Sequence, residues 1–180
     1  IRPARYRMVE LRKLYGPDTR ITWLVHRGSY ERRAREDGKP VVRWVESVRD
    51  KYNVRLIWFR TGDQVIDYLN RGQNRSRIKV NTFDFYGHSN KHAMMFDYSN
   101  HISGASKSFI HEKDLSKIRK GIFAKNCQLR SWGCHTGESM SKVWYKATGT
   151  RLWGAIGKTD YRKISTLGRP ILSSGARWAQ

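Results

Sequence analysis

The sequence predicts an α/β fold with a mostly parallel central sheet and helices on both of its faces. Apolar runs of strand length alternate along the chain with segments whose apolar residues recur at helical spacing. The stretch from residue 54 to residue 86 is one example, because a helical pattern there separates two strand patterns. Such alternation is typical of strand–helix–strand units, in which a crossover helix joins parallel neighbours.

Each element is predicted from the spacing of its apolar residues and from residues that commonly start or end a helix. Pro40 favours a helix start, Thr61 and Gln64 match a capping box, and Gly149 suits a helix end. Residues 93–98 resemble a short strand or hairpin arm. In chain order we expect strands at 21–26, 54–59, 78–86, 127–132 and 151–156, and helices at 41–52, after Thr61, at 114–119 and at 140–147.

The length of 180 residues and the hydrophobic fraction of 38% fit one domain, 1–180, with a sizeable core. Residues 1–20 are expected to be an N-terminal extension, and residues 157–180 an irregular C-terminal segment. The sequence shows no membrane-spanning run and no signal peptide, which favours a cytoplasmic protein or a delivered effector. The first residue is Ile1 rather than Met, so a fragment of a longer protein is one interpretation.

The net charge of +21 predicts attraction to an acidic partner, either a protein or a nucleic acid. The densest positive cluster contains Arg27, Arg32, Arg33 and Arg35. Two interpretations of this cluster stay open, namely a specific anion-binding patch and an ordinary solvated surface.

Two short segments carry the chemistry. TFDFYGHS (82–89) and LRSWGCHTGE (129–138) are strand patterns that stop at a small residue beside a reactive side chain. The first delivers His88 and the second delivers Cys134. Parallel neighbouring strands present such groups at their carboxyl ends, and a nearby base activates a cysteine as a nucleophile. The pattern therefore indicates a Cys/His hydrolase.

The two cysteines of the chain have different surroundings. Cys127 begins a predicted strand and fits a small buried apolar residue. Cys134 lies among glycines in a predicted strand-to-helix turn, where a helix N-terminus would favour its thiolate. Two cysteines make no disulfide framework, and a single disulfide between them, the alternative, would consume Cys134, the candidate nucleophile.

From residue 83 to residue 156 the chain resembles the caspase-like cysteine peptidases, which include caspases, gingipains, clostripain, separase and CHAT-type proteases. The shared order is a strand, Gly87-His88-Ser89, a hairpin, a small helix, a strand, and Gly133-Cys134. The resemblance implies a Cys134/His88 dyad, an acyl-enzyme, and oxyanion donors in the backbone N–H groups of Ser89 and Cys134. No cofactor is implied, and the expected substrate is a protein or peptide.

Two departures from the family pattern are visible. Glycine precedes His88 rather than following it, and the caspase sequence Q-A-C-x-G is absent around Cys134. A catalytically inactive caspase-like domain is therefore an alternative. Another expectation is that the chain is the effector or toxin portion of a larger bacterial protein.

The same resemblance implies where the residue before the cut is recognised. The family reads it with segments after the first strand, before the cysteine and after the fifth strand, which here contain Arg27, Trp132 and Asp160. Asp160 would select a basic residue, whereas Arg27 would select an acidic one. We expect the basic preference.

Two other functions were weighed. A zinc site is disfavoured because the pool of candidate ligands lacks metal-binding spacing. That pool comprises His88, His92, His101, His111, Cys127, Cys134 and His135. A nucleic-acid-binding module or nuclease is the second alternative, based on aromatic residues among arginines. Three of these aromatics, Trp23, Trp44 and Trp58, are expected in the core, and only Asp84 is a candidate Mg²⁺ ligand.

Overall fold

The computed structural model describes residues 1–97 and 106–179. These residues form a mixed α/β structure with small sheets. The chain divides into two compact units. The first unit comprises Ile1–Arg60 and Tyr161–Pro170, and the second comprises Thr61–Asp160 and Ile171–Gln180. The single domain expected from the sequence stays a prediction, because one domain can contain two such units.

The described elements are as follows. The helices are α1 (Arg2–Tyr15), α2 (Arg27–Asp37), α3 (Val41–Lys51), α4 (Gly62–Arg71), α5 (Met140–Thr148) and α6 (Ile164–Leu167), with a 3-10 helix at Glu112–Lys117. The strands are β1 (Thr22–His26), β2 (Arg55–Phe59), β3 (Val80–Phe85), β4 (His88–Ser89), β5 (Ala93–Met95), β6 (Phe109–His111), β7 (Phe123–Ser131), β8 (Leu152–Ile156), β9 (Thr159–Asp160), β10 (Ile171–Leu172) and β11 (Arg177–Trp178). Residue 98 of the expected hairpin arm lies outside the described residues.

The first unit is built on the parallel pair β1 and β2. Met8 of α1, Val48 of α3 and the nearby Val54 form its buried apolar cluster. Val45 is fully buried, as the helical spacing predicts. The expectation that Trp44 lies in the core is wrong, because 46% of its surface is exposed. One position of a helix turns the chain by about 100°, so Trp44 lies at the edge of the buried face that Val45 occupies.

The second unit contains a four-stranded sheet in the order β11-β8-β7-β3. Strands β3, β7 and β8 are parallel, and β11 is antiparallel to β8. Trp144 of α5 packs on the sheet, with ring centroids 5.6 Å from Phe83 and 5.8 Å from Phe123. Leu129 in the centre of the sheet is fully buried, which stabilises the fold by about 1.5–3 kcal/mol.

The remaining strands of the second unit form separate, smaller sheets. Strands β4, β5 and β6 make an antiparallel sheet, and β9 pairs with β10. The fold is thus α/β as predicted, but its sheets are small and of mixed direction. The described pairings do not by themselves make one mostly parallel central sheet.

The predicted helix signals of α4 and α5 are confirmed. The side chain of Thr61 accepts a bond from the Gln64 N–H, and the side chain of Gln64 accepts one from the Thr61 N–H. Helix α5 ends at Gly149, whose φ of 75° is left-handed.

Helical and strand structure also occurs where the sequence pattern predicts none. Helix α1 occupies most of the expected extension 1–20, and β9, α6, β10 and β11 occupy the expected irregular segment 157–180. Helix α2 follows β1 directly and contains no buried residue, so it lacks the apolar periodicity that would predict it. In the described ranges, no helix is both long enough and apolar enough to cross a membrane.

Candidate functional site

The two predicted reactive side chains follow neighbouring parallel strands. Phe85 at the end of β3 pairs with Ser131 at the end of β7, and the Trp132 N–H donates to the Phe85 carbonyl over 2.9 Å. His88 lies three residues beyond β3, and Cys134 lies three residues beyond β7. The matched register brings both segments to the same edge of the sheet.

Ser89 joins these two segments directly. Its hydroxyl donates a 2.6 Å hydrogen bond to the carbonyl oxygen of Cys134. A Cβ on Gly133 would lie only 2.1 Å from the Ser89 hydroxyl oxygen and 2.7 Å from the Ser89 Cβ. The residue after His88 therefore packs against the residue before Cys134, and only glycine fits at that position.

His88 begins a tight hairpin of β4 and β5. The Asn90 side chain accepts 2.8 Å hydrogen bonds from the N–H groups of His92 and Ala93, which closes the turn. His88 itself is largely exposed, yet partial desolvation lowers its pKa below the ordinary value of 6.5. A neutral imidazole at pH 7 can accept a proton, as a general base must.

The predicted oxyanion donors are the backbone N–H groups of Cys134 and Ser89. Among residues 1–97 and 106–179, the Cys134 N–H has no hydrogen-bond acceptor. The Asn90 N–H donates to the Ala93 carbonyl, so by alternation Ser89 and Met94 form a non-hydrogen-bonded pair. The Ser89 N–H therefore lies outside the hairpin ladder.

The sulfur of Cys134 contacts Thr159, which the sequence analysis does not single out. The Thr159 N–H donates to Sγ at 3.4 Å, and the Thr159 hydroxyl lies 3.5 Å from the same sulfur. The hydroxyl also donates to the Trp132 carbonyl at 2.8 Å. A hydroxyl has one proton, and Thr159 gives it to the Trp132 carbonyl, so the N–H is the Thr159 group that donates to the sulfur. Thr159 follows β8, and residues that follow parallel strands commonly line a site. The contact between Thr159 and the Cys134 sulfur also depends on the conformation of the loop after β8.

The turn after Cys134 is held by its own polar contacts. His135 has a φ of 64°, which is uncommon for a residue other than glycine. Its ring pairs with the Glu138 carboxylate at 2.5 Å, and that carboxylate also accepts the Gly157 N–H at 3.1 Å. Hydrogen bonds from His135 and Gly157 lower the pKa of the Glu138 carboxyl. Backbone strain of this kind is commonest at functional sites.

The expectation that a helix N-terminus favours the thiolate of Cys134 is wrong, although the helix itself lies where it is predicted. Helix α5 starts at Met140, six residues farther along, and turn residues fill the interval. The helix dipole acts within the first turn, so it does not reach Cys134. The Thr159 N–H supplies a donor contact to the sulfur instead.

The predicted substrate-binding residues have different surroundings. Trp132 is only 5% exposed, and its ring packs edge-on against Trp178 at 5.0 Å. Asp160 is half-buried in β9, next to Thr159, so chain connectivity keeps it close to the sulfur of Cys134.

Arg27 belongs to the first unit rather than to the unit that contains Cys134. Its guanidinium pairs with Glu31 at 2.6 Å and lies 4.7 Å above the Trp58 ring. Because Glu31 already neutralises part of the charge of Arg27, the guanidinium offers less attraction to an acidic substrate.

The other candidate ligands do not converge on a metal. Cys127 is a free, half-buried cysteine in the middle of β7, not at its start, and burial raises the pKa of its thiol. Within the described residues, no group of three or more His, Cys, Asp or Glu side chains is arranged to hold a metal ion. His101 lies outside the described residues.

The arginine cluster of the sequence lies on α2. Three of its four members pair with carboxylates four residues farther along the helix. These pairs are Arg27–Glu31, Arg32–Glu36 and Arg33–Asp37. The cluster therefore offers less free positive charge to an anion than its sequence indicates.

Comparisons with protein-family models, curated proteins and solved structures find no match for this chain.

Proposed function

We propose that the protein is a caspase-like cysteine endopeptidase in which Cys134 is the nucleophile and His88 is the general base. The observation that carries the proposal is the matched ending of β3 and β7, joined by the hydrogen bond from Ser89 to Cys134. The proposed fold is the family's arrangement, in which the parallel strands belong to one central sheet.

The proposed reaction has two steps. The Cys134 thiol gives its proton to His88 and the sulfur attacks the scissile carbonyl carbon, while the N–H groups of Ser89 and Cys134 stabilise the oxyanion. The C–N bond breaks, the leaving amine takes the proton held by His88, and a thioester remains on Cys134. Water then attacks the thioester carbonyl and passes its proton through His88 to the sulfur as the C–S bond breaks.

The surroundings of Cys134 and His88 support their proposed roles and favour Cys134 over Cys127 as the nucleophile. The Cys134 sulfur accepts a hydrogen bond from the Thr159 N–H, whereas burial raises the pKa of Cys127 and keeps that thiol protonated. His88 has a lowered pKa, which suits a base at neutral pH. Asp160 is proposed to contact a basic side chain before the cut.

The test is covalent labelling with a peptide chloromethyl ketone that carries Arg or Lys at its reactive end, followed by mass-spectrometric mapping. We expect label on Cys134, and no label there after Cys134→Ala. His88→Ala should slow labelling at least tenfold, in keeping with the contribution of a general base, which is about 10² or more. Cys127→Ala is the matched control and should leave labelling intact. Label that maps to Cys127 contradicts the assignment.

A salt titration of DNA and RNA binding tests the alternative based on charge. Nucleic-acid binding at physiological salt with a steep salt dependence, in a protein that resists the peptide probe, would favour the binding module. Correct folding with neither activity would favour an inactive caspase-like domain.

A further inference from the structure

A single carboxylate connects the hairpin of His88 with the turn of Cys134. One oxygen of Glu112 lies 2.9 Å from Nδ1 of His92, at the tip of that hairpin. The other oxygen accepts a 2.7 Å hydrogen bond from the hydroxyl of Ser139, at the end of that turn. Glu112 is therefore bonded to both segments at once.

The environment of Glu112 favours its charged form. Its side chain is only 17% exposed. Desolvation opposes the charge, but hydrogen bonds from Ser139 and His92 outweigh it and lower the pKa of the carboxyl. The ionised carboxylate accepts from both partners and makes the stronger kind of hydrogen bond.

Backbone contacts connect the same segments. The Met140 N–H donates to the Lys91 carbonyl at 2.9 Å, and the Glu112 N–H donates to the His92 carbonyl at 2.8 Å. These bonds do not depend on the Glu112 side chain. Removal of the carboxylate should therefore loosen the connection without detaching the hairpin.

We propose that Glu112 is a positioning residue for the dyad, because its bonds to His92 and Ser139 fix the hairpin of His88 relative to the turn of Cys134. This inference rests on the proposed function. Proton transfer between an imidazole and a thiol requires hydrogen-bond distance, so a shift of about 1 Å between the two segments is costly.

The test measures the alkylation rate of Cys134 by iodoacetamide at pH 7, with Cys127 mapped in the same digest as an internal reference. Glu112→Ala should slow alkylation of Cys134 about tenfold when His88 is present. In the His88→Ala background the same change should alter the rate less than about twofold, because no dyad remains to be positioned.

Two further variants separate positioning from general destabilisation. Glu112→Gln retains a hydrogen-bonding group for each partner and should restore most of the rate. Asp114→Ala is the matched control, because Asp114 is in the same 3-10 helix and bonds the His111 N–H and Lys117. It should leave the alkylation rate within about twofold of the parent.

Ser139→Ala removes only one of the two hydrogen bonds and covers the case in which Glu112→Ala fails to fold. It should slow alkylation several-fold, again only when His88 is present. Equal slowing in both backgrounds, or no slowing beyond that of Asp114→Ala, overturns the inference. If His88→Ala alone leaves the rate unchanged, the dyad itself is contradicted, which is a separate result.

Discussion

The hydroxyl of Ser89 donates a 2.6 Å hydrogen bond to the backbone carbonyl of Cys134. That carbonyl belongs to the peptide bond that leads into His135, whose φ of 64° is left-handed. The bond thus holds the backbone of the proposed nucleophile just before a strained residue. It also makes the position of Cys134 depend on the residue that follows His88.

Ser89→Ala removes this bond and leaves the Cys134 carbonyl without its donor. We expect the free energy of unfolding to fall by about 1–3 kcal/mol, because an unsatisfied, partly buried acceptor remains. Labelling of Cys134 should slow several-fold as the turn relaxes. Ser116→Ala, at an exposed serine, is the control and should be neutral. Equal stability of the two variants would contradict the prediction.

Gly133→Ala places a methyl group where no space exists. Its Cβ would meet the Ser89 side chain and lie 3.0 Å from the Phe85 ring, so we expect a loss of about 1–3 kcal/mol in thermal or urea unfolding. The labelling rate of Cys134 should fall with it. Gly28→Ala is the comparison, because its nearest contact is a His26 ring atom at 3.3 Å. A Gly133→Ala variant with unchanged stability and rate would refute the close approach.

Thr159→Val retains the shape of the side chain and removes the hydroxyl near the Cys134 sulfur. That hydroxyl also bonds the Trp132 carbonyl and so fixes the N–H that donates to the sulfur. We expect alkylation of Cys134 at pH 7 to slow roughly two- to tenfold, because the N–H that donates to the sulfur is no longer held in place by the hydroxyl. Thr166→Val, at an exposed threonine, serves as the control. An unchanged alkylation rate would show that the Thr159 hydroxyl does not influence the reactivity of the Cys134 sulfur.

The placement of His88 and Cys134 at one sheet edge was predictable because strand-end position depends only on the order of apolar runs. The long connection between β3 and β7, which contains β4, β5, β6 and the 3-10 helix, permits their parallel pairing, whereas a short turn would not. The contacts of Thr159 and Glu112 were not predictable in this way. Thr159 lies 25 positions from Cys134, and Glu112 lies 27 positions from Ser139. Each contact depends on the conformation of the intervening loops, which no local sequence pattern predicts.

Helix α2 shows a different limit of prediction. Apolar periodicity reports a buried face, and α2 has no buried residue. Its sequence signals are charge spacing, since Arg27 and Glu31 lie four positions apart, as do Arg33 and Asp37, and Gly38, which ends the helix in a left-handed conformation. Strand pairing shows a third limit, because apolar runs predict strands without specifying which of them share a sheet.

The pH dependence of Cys134 labelling should report the state of His88. Partial desolvation lowers the pKa of His88 below 6.5, so more than half of His88 is neutral at pH 6.5 and the neutral fraction rises above that pH. The base is lost, with its share of stability, as the pH falls through that lower value. We expect an acid limb with a midpoint below 6.5, absent in His88→Ala, measured by labelling rates between pH 4 and 8. A midpoint above 6.5 would support an ion pair of His88 with the thiolate instead.

Asp160→Asn should change which peptides are cut. Asp160 follows Thr159, which contacts the Cys134 sulfur, and its carboxylate is the group proposed to pair with a basic side chain before the cut. In a peptide library the parent should prefer Arg or Lys there, and Asp160→Asn should lower kcat/KM for those peptides about ten- to a hundredfold. Asp63→Asn, at an exposed carboxylate, is the control and should preserve the preference. A parent that prefers Asp or Glu would contradict this assignment and favour Arg27 as the selecting residue.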